Sequence, residues 1–393
     1  MIALGQALAV VTTGGTSATS QIGHFIEFLA TPAAWAAIAL FGVLAAAAMQ
    51  SKGARWGAIA LAMYFSTIAA PSQNALFGTE LGAGPIAFPF LFTIARPLTL
   101  AFLAVALVPA IFSGKGWRSR VLLASSIAFL LLEIGMSIRF VYADNMARGM
   151  AGAALFGLVF MVFAVGCSRW MQEMPDVLGG LRAIMGSALL LILVTFAQLA
   201  LRPGAVITHG RLMSTTGNPQ HLALVIGASL PALCYLAVRK GEGKPWRVLS
   251  IAVLAICVVF LLWSGSRTGV LMALVAVTLQ FRRRLGRFAL LAIAVSAVAL
   301  IVMSLLPRSE EVLSRLTSTE NTRIVWWSAW DVFLRHPLIG YIPPGLDTAY
   351  VENSYLSAAV EMGFIGITLI CVLVLALLRT MWQMGRSRSS LGD

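Results

Sequence analysis

Long apolar runs are the feature that most constrains what this chain can fold into. At least eleven of them divide its 393 residues, of which 59% are hydrophobic and only 11% charged. A helix that crosses a bilayer needs about 20 such residues, and only helices and closed barrels satisfy their backbone hydrogen bonds in lipid. The runs are continuous and do not alternate in the way that barrel strands do. The sequence therefore predicts an all-α, polytopic membrane protein with about 11–12 transmembrane helices.

The apolar runs divide the chain into three regions. The predicted spans are 33–49, 54–71, 94–112, 121–138, 150–167, 184–201, 222–238, 248–263, 266–281, 288–306 and 362–378. Residues 1–32 form either a partial twelfth membrane element or a strand-like arm, and both alternatives stay open. No cleavable signal peptide is expected, because no basic segment precedes the first apolar run. We predict that 1–204 form a helical scaffold with a groove for a lipid carrier. Residues 205–378 carry the motifs described below, and 379–393 form a cytoplasmic tail.

The loops between the spans differ in charge according to the side of the membrane. One set of alternate loops contains 18 Lys and Arg with four acids, whereas the other contains ten Arg, no Lys and eleven acids. Cytoplasmic loops carry the excess of Lys and Arg, so the first set is predicted to face the cytoplasm. The formal charge of +13 is then explained by topology, and nucleic acid is not an expected partner. The four cysteines lie apart within apolar runs, which favours packing over a disulfide framework or a metal site.

Arginine is the only basic residue on the predicted outer side. A guanidinium binds phosphate or carboxylate oxygens through two parallel hydrogen bonds and stays charged when partly dehydrated. A cavity lined by arginines would therefore suit a membrane-embedded diphosphate. The alternative for each is a snorkelling or ion-paired surface residue. The candidates are Arg96, Arg202, Arg211, Arg267 and Arg323.

Arg267 is a special case, because the turn Ser264–Arg267 joins two spans that are short for two full crossings. We expect this turn to lie below the outer surface of the membrane, where an arginine usually faces a cavity or a partner.

A long outer loop, residues 307–351, separates the last two spans. Its 45 residues far exceed the usual connection of about 4–6 residues, and long loops in compact proteins are commonly functional. A helix is predicted within it, with Asn321 or Thr322 as its cap and Arg335 as its end, because Pro337 stops it.

The first turn of the last predicted helix carries an acid, Glu352. The helix dipole alone would favour an acid there. The alternative is a general base that faces the arginines. Trp327, in the long loop, either stacks on a sugar ring or rests on lipid headgroups. The histidines lack ligand spacing and no nucleotide-binding motif is present, so no metal and no cofactor is expected.

Four strings in the C-terminal half resemble the O-antigen ligase and O-antigen polymerase family of bacterial envelope membrane proteins. They are, in chain order, Arg211 with TGNPQHLA at 216–223, SGSRTG at 264–269, RIVWW at 323–327 with HPLIG at 336–340, and ENSYL at 352–356 with EMGFIG at 361–366. They are similar to the family's G-x-x-NPN-x-hA, S-x-SR-x-G, R-x-x-x-W with hPl-x-G, and HN-x-YL with E-x-G-x-x-G. Each string is weak alone, but their order over residues 205–370 is a strong signal. The N-terminal half matches only in hydropathy.

The resemblance implies a metal-independent, GT-C-like glycosyltransferase of the bacterial inner membrane with its site facing the periplasm. Its donor would be an undecaprenyl-diphosphate-linked glycan and its acceptor the hydroxyl of another glycan. Membrane lipids, a chain-length regulator and a flippase of the same pathway would be further partners.

The resemblance also implies roles for the candidate residues. Arg267 and Arg323 would be catalytic together with Glu352, which would activate the acceptor hydroxyl. The predicted substrate-binding residues are Arg211, Asn353, Tyr355, Trp327 and Arg96.

One departure from the family pattern affects the choice of reaction. Ligases of the family typically carry histidine where this chain has Glu352, although a carboxylate can abstract the same proton. By resemblance to exopolysaccharide relatives, this favours a polymerase that extends another lipid-linked repeat unit. A ligase that transfers finished glycan to lipid A core or protein is the alternative. A flippase or other transporter of lipid-linked oligosaccharides is the alternative of another class, although such proteins usually show internal repeats.

Overall fold

The computed structural model describes 32–68, 90–112, 127–132, 134–135, 153, 157–162, 173–208, 210–239, 243–281, 322–341 and 354–386. Its longer helices are α1 (Pro32–Gln50), α2 (Lys52–Ser66), α3 (Phe90–Phe112), α4 (Met174–Leu201), α5 (Pro219–Val238), α6 (Lys244–Trp263), α7 (Arg267–Phe281), α8 (Thr322–Arg335) and α9 (Ser354–Arg386). One two-stranded hairpin, β1 (Ile207–Thr208) and β2 (Arg211–Leu212), lies between α4 and α5.

The prediction of an all-α, multi-pass membrane protein is confirmed. Within the described residues, four segments are long and apolar enough to cross a membrane: Met174–Leu201, Pro219–Val238, Lys244–Trp263 and Ala358–Ala376. The predicted span 288–306 and most of 121–138 and 150–167 lie outside the described residues, as do residues 1–31. The total of about 11–12 spans stays a prediction.

The chain forms two compact units. One contains 46–102 and 173–319, and the other contains 1–45, 103–172 and 320–393. The division predicted at residues 204 and 378 remains a prediction.

Helix α5 lies at the centre of the first unit. It packs against α4, α6 and α7. Helix α2 packs against α4. Of the most apolar stretch of α5, 61% is buried, against 33–39% for the other three candidate spans. Its Leu222, Ile226 and Leu233 are almost fully enclosed, together with Phe260 of α6. Helix α5 therefore forms the core of this unit, and the other helices pack around it.

Glycines allow α5 and α7 to approach closely. A Cβ added at Gly269 would lie 2.5 Å from Cβ of Ala223 and 3.1 Å from its carbonyl group, and one added at Gly227 would lie 3.1 Å from the Gly269 carbonyl oxygen. Between helices in lipid, association rests largely on such close packing of small residues. The small side chains at this crossing therefore set the distance between the two helices.

The predicted cytoplasmic ends of this unit are tied together by charged residues. Lys52 Nζ lies 2.7 Å from Asp176 Oδ1, and the guanidinium of Arg182 lies 4.9 Å from the centre of the Trp246 ring. The hydrogen bond and the charge of Asp176 raise the pKa of the Lys52 amine above its ordinary value. These residues come from three loops that the charge count assigns to one side, so the packing agrees with that assignment.

Several helices extend beyond the predicted spans. Helix α4 begins at Met174 instead of residue 184, and α6 begins at Lys244 instead of residue 248. Hydropathy marks the part of a helix that suits lipid, whereas the helix itself continues into a polar turn, such as the one with the buried Asp176. The predicted bounds were therefore too short at these ends.

In the second unit, α8 packs against α9. The predicted helix ending at Arg335 is confirmed as α8, and its Ala329 and Phe333 pack with Ala359 and Val360. The predicted span at 362–378 overlaps the candidate span Ala358–Ala376, although the break near its start was not predicted. Helix α9 begins at Ser354 and is broken at Gly363, whose φ of 59° and ψ of −142° are not helical.

Candidate functional site

A short hairpin between α4 and α5 carries Arg211. Thr208 pairs with Arg211 and Ile207 with Leu212, which leaves a two-residue turn in which Gly210 has a φ of 72°. Such turns need positive φ angles, and glycine adopts them without strain. Leu212 is fully buried, so it anchors the strand while the neighbouring Arg211 is only half-buried. This hairpin was not predicted from the sequence, because helix was the default for the apolar segments and their connections.

The C-terminus of α6 holds the hairpin from two sides. Arg211 Nε donates a hydrogen bond to the Ser264 carbonyl oxygen at 2.7 Å. Trp263 Nε1 donates one to the Gly210 carbonyl oxygen at 3.0 Å. The Nε atom lies in the plane of the guanidinium, so this bond fixes the orientation of the whole group. Two of the strings noted in the sequence, far apart in the chain, are therefore in direct contact.

The turn between α6 and α7 is built by its own serines. Ser264 Oγ donates to the Leu261 carbonyl oxygen at 2.6 Å and accepts from the backbone N–H of Ser266 at 3.3 Å. Ser266 Oγ accepts from the Gly269 N–H at 3.3 Å, which caps the first turn of α7. Gly265 has a φ of 62°, and both serines are buried. Arg267 follows as the first residue of α7, so its backbone lies three residues from the carbonyl that binds Arg211.

The segment before α5 is shaped in the same way. Thr216 Oγ1 lies within hydrogen-bond distance of the carbonyl oxygens of Met213, at 2.7 Å, and Asn218, at 2.8 Å. Asn218 Oδ1 accepts from the Gln220 N–H at 2.8 Å, so Asn218 caps α5, and Gly217 has a φ of 65°. These residues determine the course of the backbone. Arg211 is thus the residue of the first string whose side chain is suited to binding an anion.

Buried polar side chains of α4 lie against the segment that precedes α5. Thr195 Oγ1 and Ser214 Oγ are hydrogen-bonded to each other, and Ser214 has the unusual φ of 54° for a residue with a side chain. Gln198, one helical turn further along α4, is fully buried. Within the described residues, its Oε1 and the buried Thr215 Oγ1 have no hydrogen-bond partner, which is uncommon for buried polar atoms. Thr195 and Gln198 were not recognised from the sequence, although polar residues three apart in an apolar span point to one polar face.

The other candidates are placed by their backbone. Arg96 lies in α3, Arg323 and Trp327 lie in the first half of α8, and Tyr355 is the second residue of α9. Their predicted roles stay predictions. Glu352 and Asn353 lie outside the described residues, so the predicted base and its neighbour also stay predictions.

One further candidate has a described side chain. Arg202, at the end of α4, is exposed, in agreement with the alternative of a surface residue. Within the described residues, no three His, Cys, Asp or Glu side chains are grouped so that they could hold a metal ion.

Residues 252–371 match the model of a protein family described as O-Antigen ligase. The match covers less than a third of the chain and confirms the predicted family resemblance over these residues. It includes the last three of the four strings, whereas Arg211 and 216–223 lie before it. No curated protein and no solved structure matches the chain. The family match supports glycan transfer of the O-antigen ligase or polymerase type.

Proposed function

We propose that this protein is a polysaccharide polymerase that transfers a polyprenyl-diphosphate-linked glycan to a sugar hydroxyl of another lipid-linked repeat unit. The reaction takes place on the periplasmic side of the bacterial inner membrane, the lipid carrier is undecaprenyl diphosphate, and no metal is required. The observation that carries the proposal is the hydrogen bond between Arg211 and Ser264. It joins the hairpin that carries Arg211 to the turn that leads into Arg267. The turn lies inside the region that matches the family, whereas the hairpin precedes that region.

The geometry supports binding of a diphosphate. Arg211 is half-buried, so its charge is less screened than on an open surface. Its orientation is fixed by Ser264, which lowers the entropy that would be lost on binding phosphate oxygens. Arg267 begins α7, and the positive end of the dipole of this helix adds to the charge of the side chain. These three features favour a diphosphate, whose negative charge increases when its bond to the sugar breaks.

The proposed chemistry then needs one proton transfer. The acceptor hydroxyl oxygen attacks the anomeric carbon of the donor sugar, and the bond from that carbon to the diphosphate oxygen breaks. Glu352 takes the hydroxyl proton as a general base, and Arg211, Arg267 and Arg323 stabilise the negative charge that develops on the departing diphosphate. Tyr355 and Asn353 orient the acceptor or the base, Trp327 stacks on a sugar ring, and Arg96 binds the carrier.

The test uses purified protein in lipid nanodiscs, incubated with lipid-linked repeat units and no other acceptor. The wild type is expected to produce a ladder of polymer lengths, also in the presence of a metal chelator. Glu352→Gln and Arg267→Lys are each expected to abolish the ladder while the protein still inserts and is expressed. Retention of the ladder in both variants would remove the catalytic assignment.

Matched controls come from α8. Arg335 pairs with Asp331 at 2.5 Å on an exposed surface, and such pairs contribute little. Arg335→Lys and Asp331→Asn therefore repeat the two chemical changes away from the proposed site, and both are expected to leave the ladder unchanged.

A ligase is the second candidate, favoured by the description of the matching family. It predicts no ladder from repeat units alone and transfer of finished glycan once lipid A core or a protein acceptor is added. A flippase predicts neither product, but movement of the lipid-linked glycan between leaflets of a sealed vesicle. The three functions therefore give different outcomes with the same preparation.

A further inference from the structure

The turn that follows α8 is built against the break in α9. Phe364 N–H donates to the Pro337 carbonyl oxygen and Tyr341 N–H to the Val360 carbonyl oxygen, both at 2.7 Å. Gly340 and Gly363 have φ angles of 79° and 59°, and a Cβ on either would collide with the backbone of the other segment. We call residues 336–341 the α8 turn. It fills the gap that the broken helix leaves.

The break lies inside a candidate membrane span. That span runs from Ala358 to Ala376, so Gly363 is five residues into it, or about 7 Å along a helix. Non-helical backbone at membrane depth is tolerated only where its polar groups are satisfied within the protein. The α8 turn meets this condition in part through Gly340 N–H, which donates to the His336 carbonyl oxygen at 3.1 Å, and through its two bonds with α9.

The tip of the α8 turn is apolar and outward-facing. Leu338 is 72% exposed and Ile339 is 77% exposed. Beside them, just after the break, Phe364 and Ile365 of the span are 52% and 54% exposed. A Cβ on Gly363 would lie only 2.7 Å from the Leu338 carbonyl carbon, so the two pairs are neighbours. The apolar surface of the turn thus continues the surface that the span presents to lipid.

We infer that Leu338 and Ile339 insert among the lipid acyl chains of the outer leaflet. The occupant is lipid because the tip adjoins a transmembrane segment and because its exposed side chains are hydrocarbon, which is favourable in a bilayer and unfavourable in water. The C-terminal end of α8 is then anchored in the bilayer. The segment predicted as a long outer loop therefore contains a re-entrant element, and this inference does not depend on the reaction that the protein catalyses.

The experiment places one fluorophore at the tip. Leu338→Cys is labelled with a polarity-sensitive dye in a protein that also carries Cys371→Ser and Cys167→Ala, while the buried Cys234 and Cys257 are kept. The labelled protein is reconstituted in nanodiscs whose lipids carry a nitroxide on the acyl chain. Quenching of this label is expected to be several-fold stronger than that of a label at the control position described next. Iodide, a water-soluble quencher, is expected to quench the label at the control position more strongly than the label at the tip.

Asp331→Cys is the matched control, because Asp331 is exposed on the polar surface of α8, and Ile339→Cys is a second tip position in case Leu338→Cys does not fold. Stronger iodide quenching at both tip positions than at residue 331 would place the tip in water and overturn the inference. Protection from both quenchers would mean that protein covers the tip, and would overturn it equally.

Discussion

Replacing Gly269 with alanine is expected to push α5 and α7 apart. The new Cβ would lie 2.5 Å from Cβ of Ala223, whereas unbonded carbons prefer about 3.5–4.0 Å. The helices must therefore separate by roughly 1 Å at this crossing, and overpacking of this kind costs about 1–3 kcal/mol. Alanine regains about 0.5–1 kcal/mol of helix propensity. We expect the free energy of unfolding to fall by about 1–2 kcal/mol.

The same displacement should reach the proposed site. Gly269 N–H is bound by Ser266, so movement of α7 moves the turn whose Ser264 carbonyl holds Arg211 at 2.7 Å. A shift of roughly 1 Å would stretch that bond beyond the usual range of hydrogen bonds. Glycan elongation should therefore decrease together with stability.

Two further variants test this reasoning. Gly57 has no atom within 4 Å of an added Cβ, so Gly57→Ala should raise stability slightly. Ala223→Gly removes the Cβ that clashes, so the double variant Ala223→Gly with Gly269→Ala should recover part of the lost stability, limited by the remaining 3.1 Å contacts with the backbone of residue 223. The measurements are thermal unfolding in one detergent and the ladder assay. The reasoning is refuted if Gly269→Ala is stabilised as much as Gly57→Ala.

Two predictions concern the supports of the hairpin and of α5. Asn218→Ala should lower the free energy of unfolding by about 1 kcal/mol, because the cap of α5 is lost. Asn218→Asp keeps the accepting oxygen and should unfold near the wild-type temperature; equal loss in both variants would contradict the capping role. Trp263→Phe removes the bond to the Gly210 carbonyl and should cost about 1 kcal/mol while slowing elongation. Trp263→Phe should slow elongation less when Arg211 is already replaced by lysine. If the effects of the two substitutions on elongation are fully additive, Trp263 does not act by positioning Arg211 through the hairpin.

The features that depend on the composition of whole segments could be predicted from the sequence. Apolar length gave the helical class, and charge assigned loops to sides in a way that agrees with the pairing of Lys52 and Asp176. Helix α8 was predicted from its cap and its proline stop, because those signals are local. Glycine-dependent geometry was not predicted. The hairpin at Gly210 and the break at Gly363 both need a positive φ, and nothing in hydropathy distinguishes such glycines from those that pack inside a helix.

The strings that carried the family resemblance proved to contain mainly architectural residues. Thr216, Asn218 and Ser266 hold the ends of helices, and Gly269 and Gly363 permit close contact or a break. Each of these residues satisfies a requirement of the backbone geometry at its position. The sequence did not show which of the arginines are suited to binding, because a surface role and a binding role differ in the burial of the side chain and in its hydrogen-bond partners. Arg211 and Arg202 differ in this respect, although both follow an apolar span.

The bond between Tyr341 and Val360 has a consequence for how the protein can vary. Residues 341 and 360 are held against each other, so the length of the chain between them does not determine how α8 packs on α9. Doubling the length of a segment whose ends are held together costs only about 0.6 kcal/mol. Insertions after Tyr341 should therefore leave the thermal unfolding of the protein close to that of the wild type.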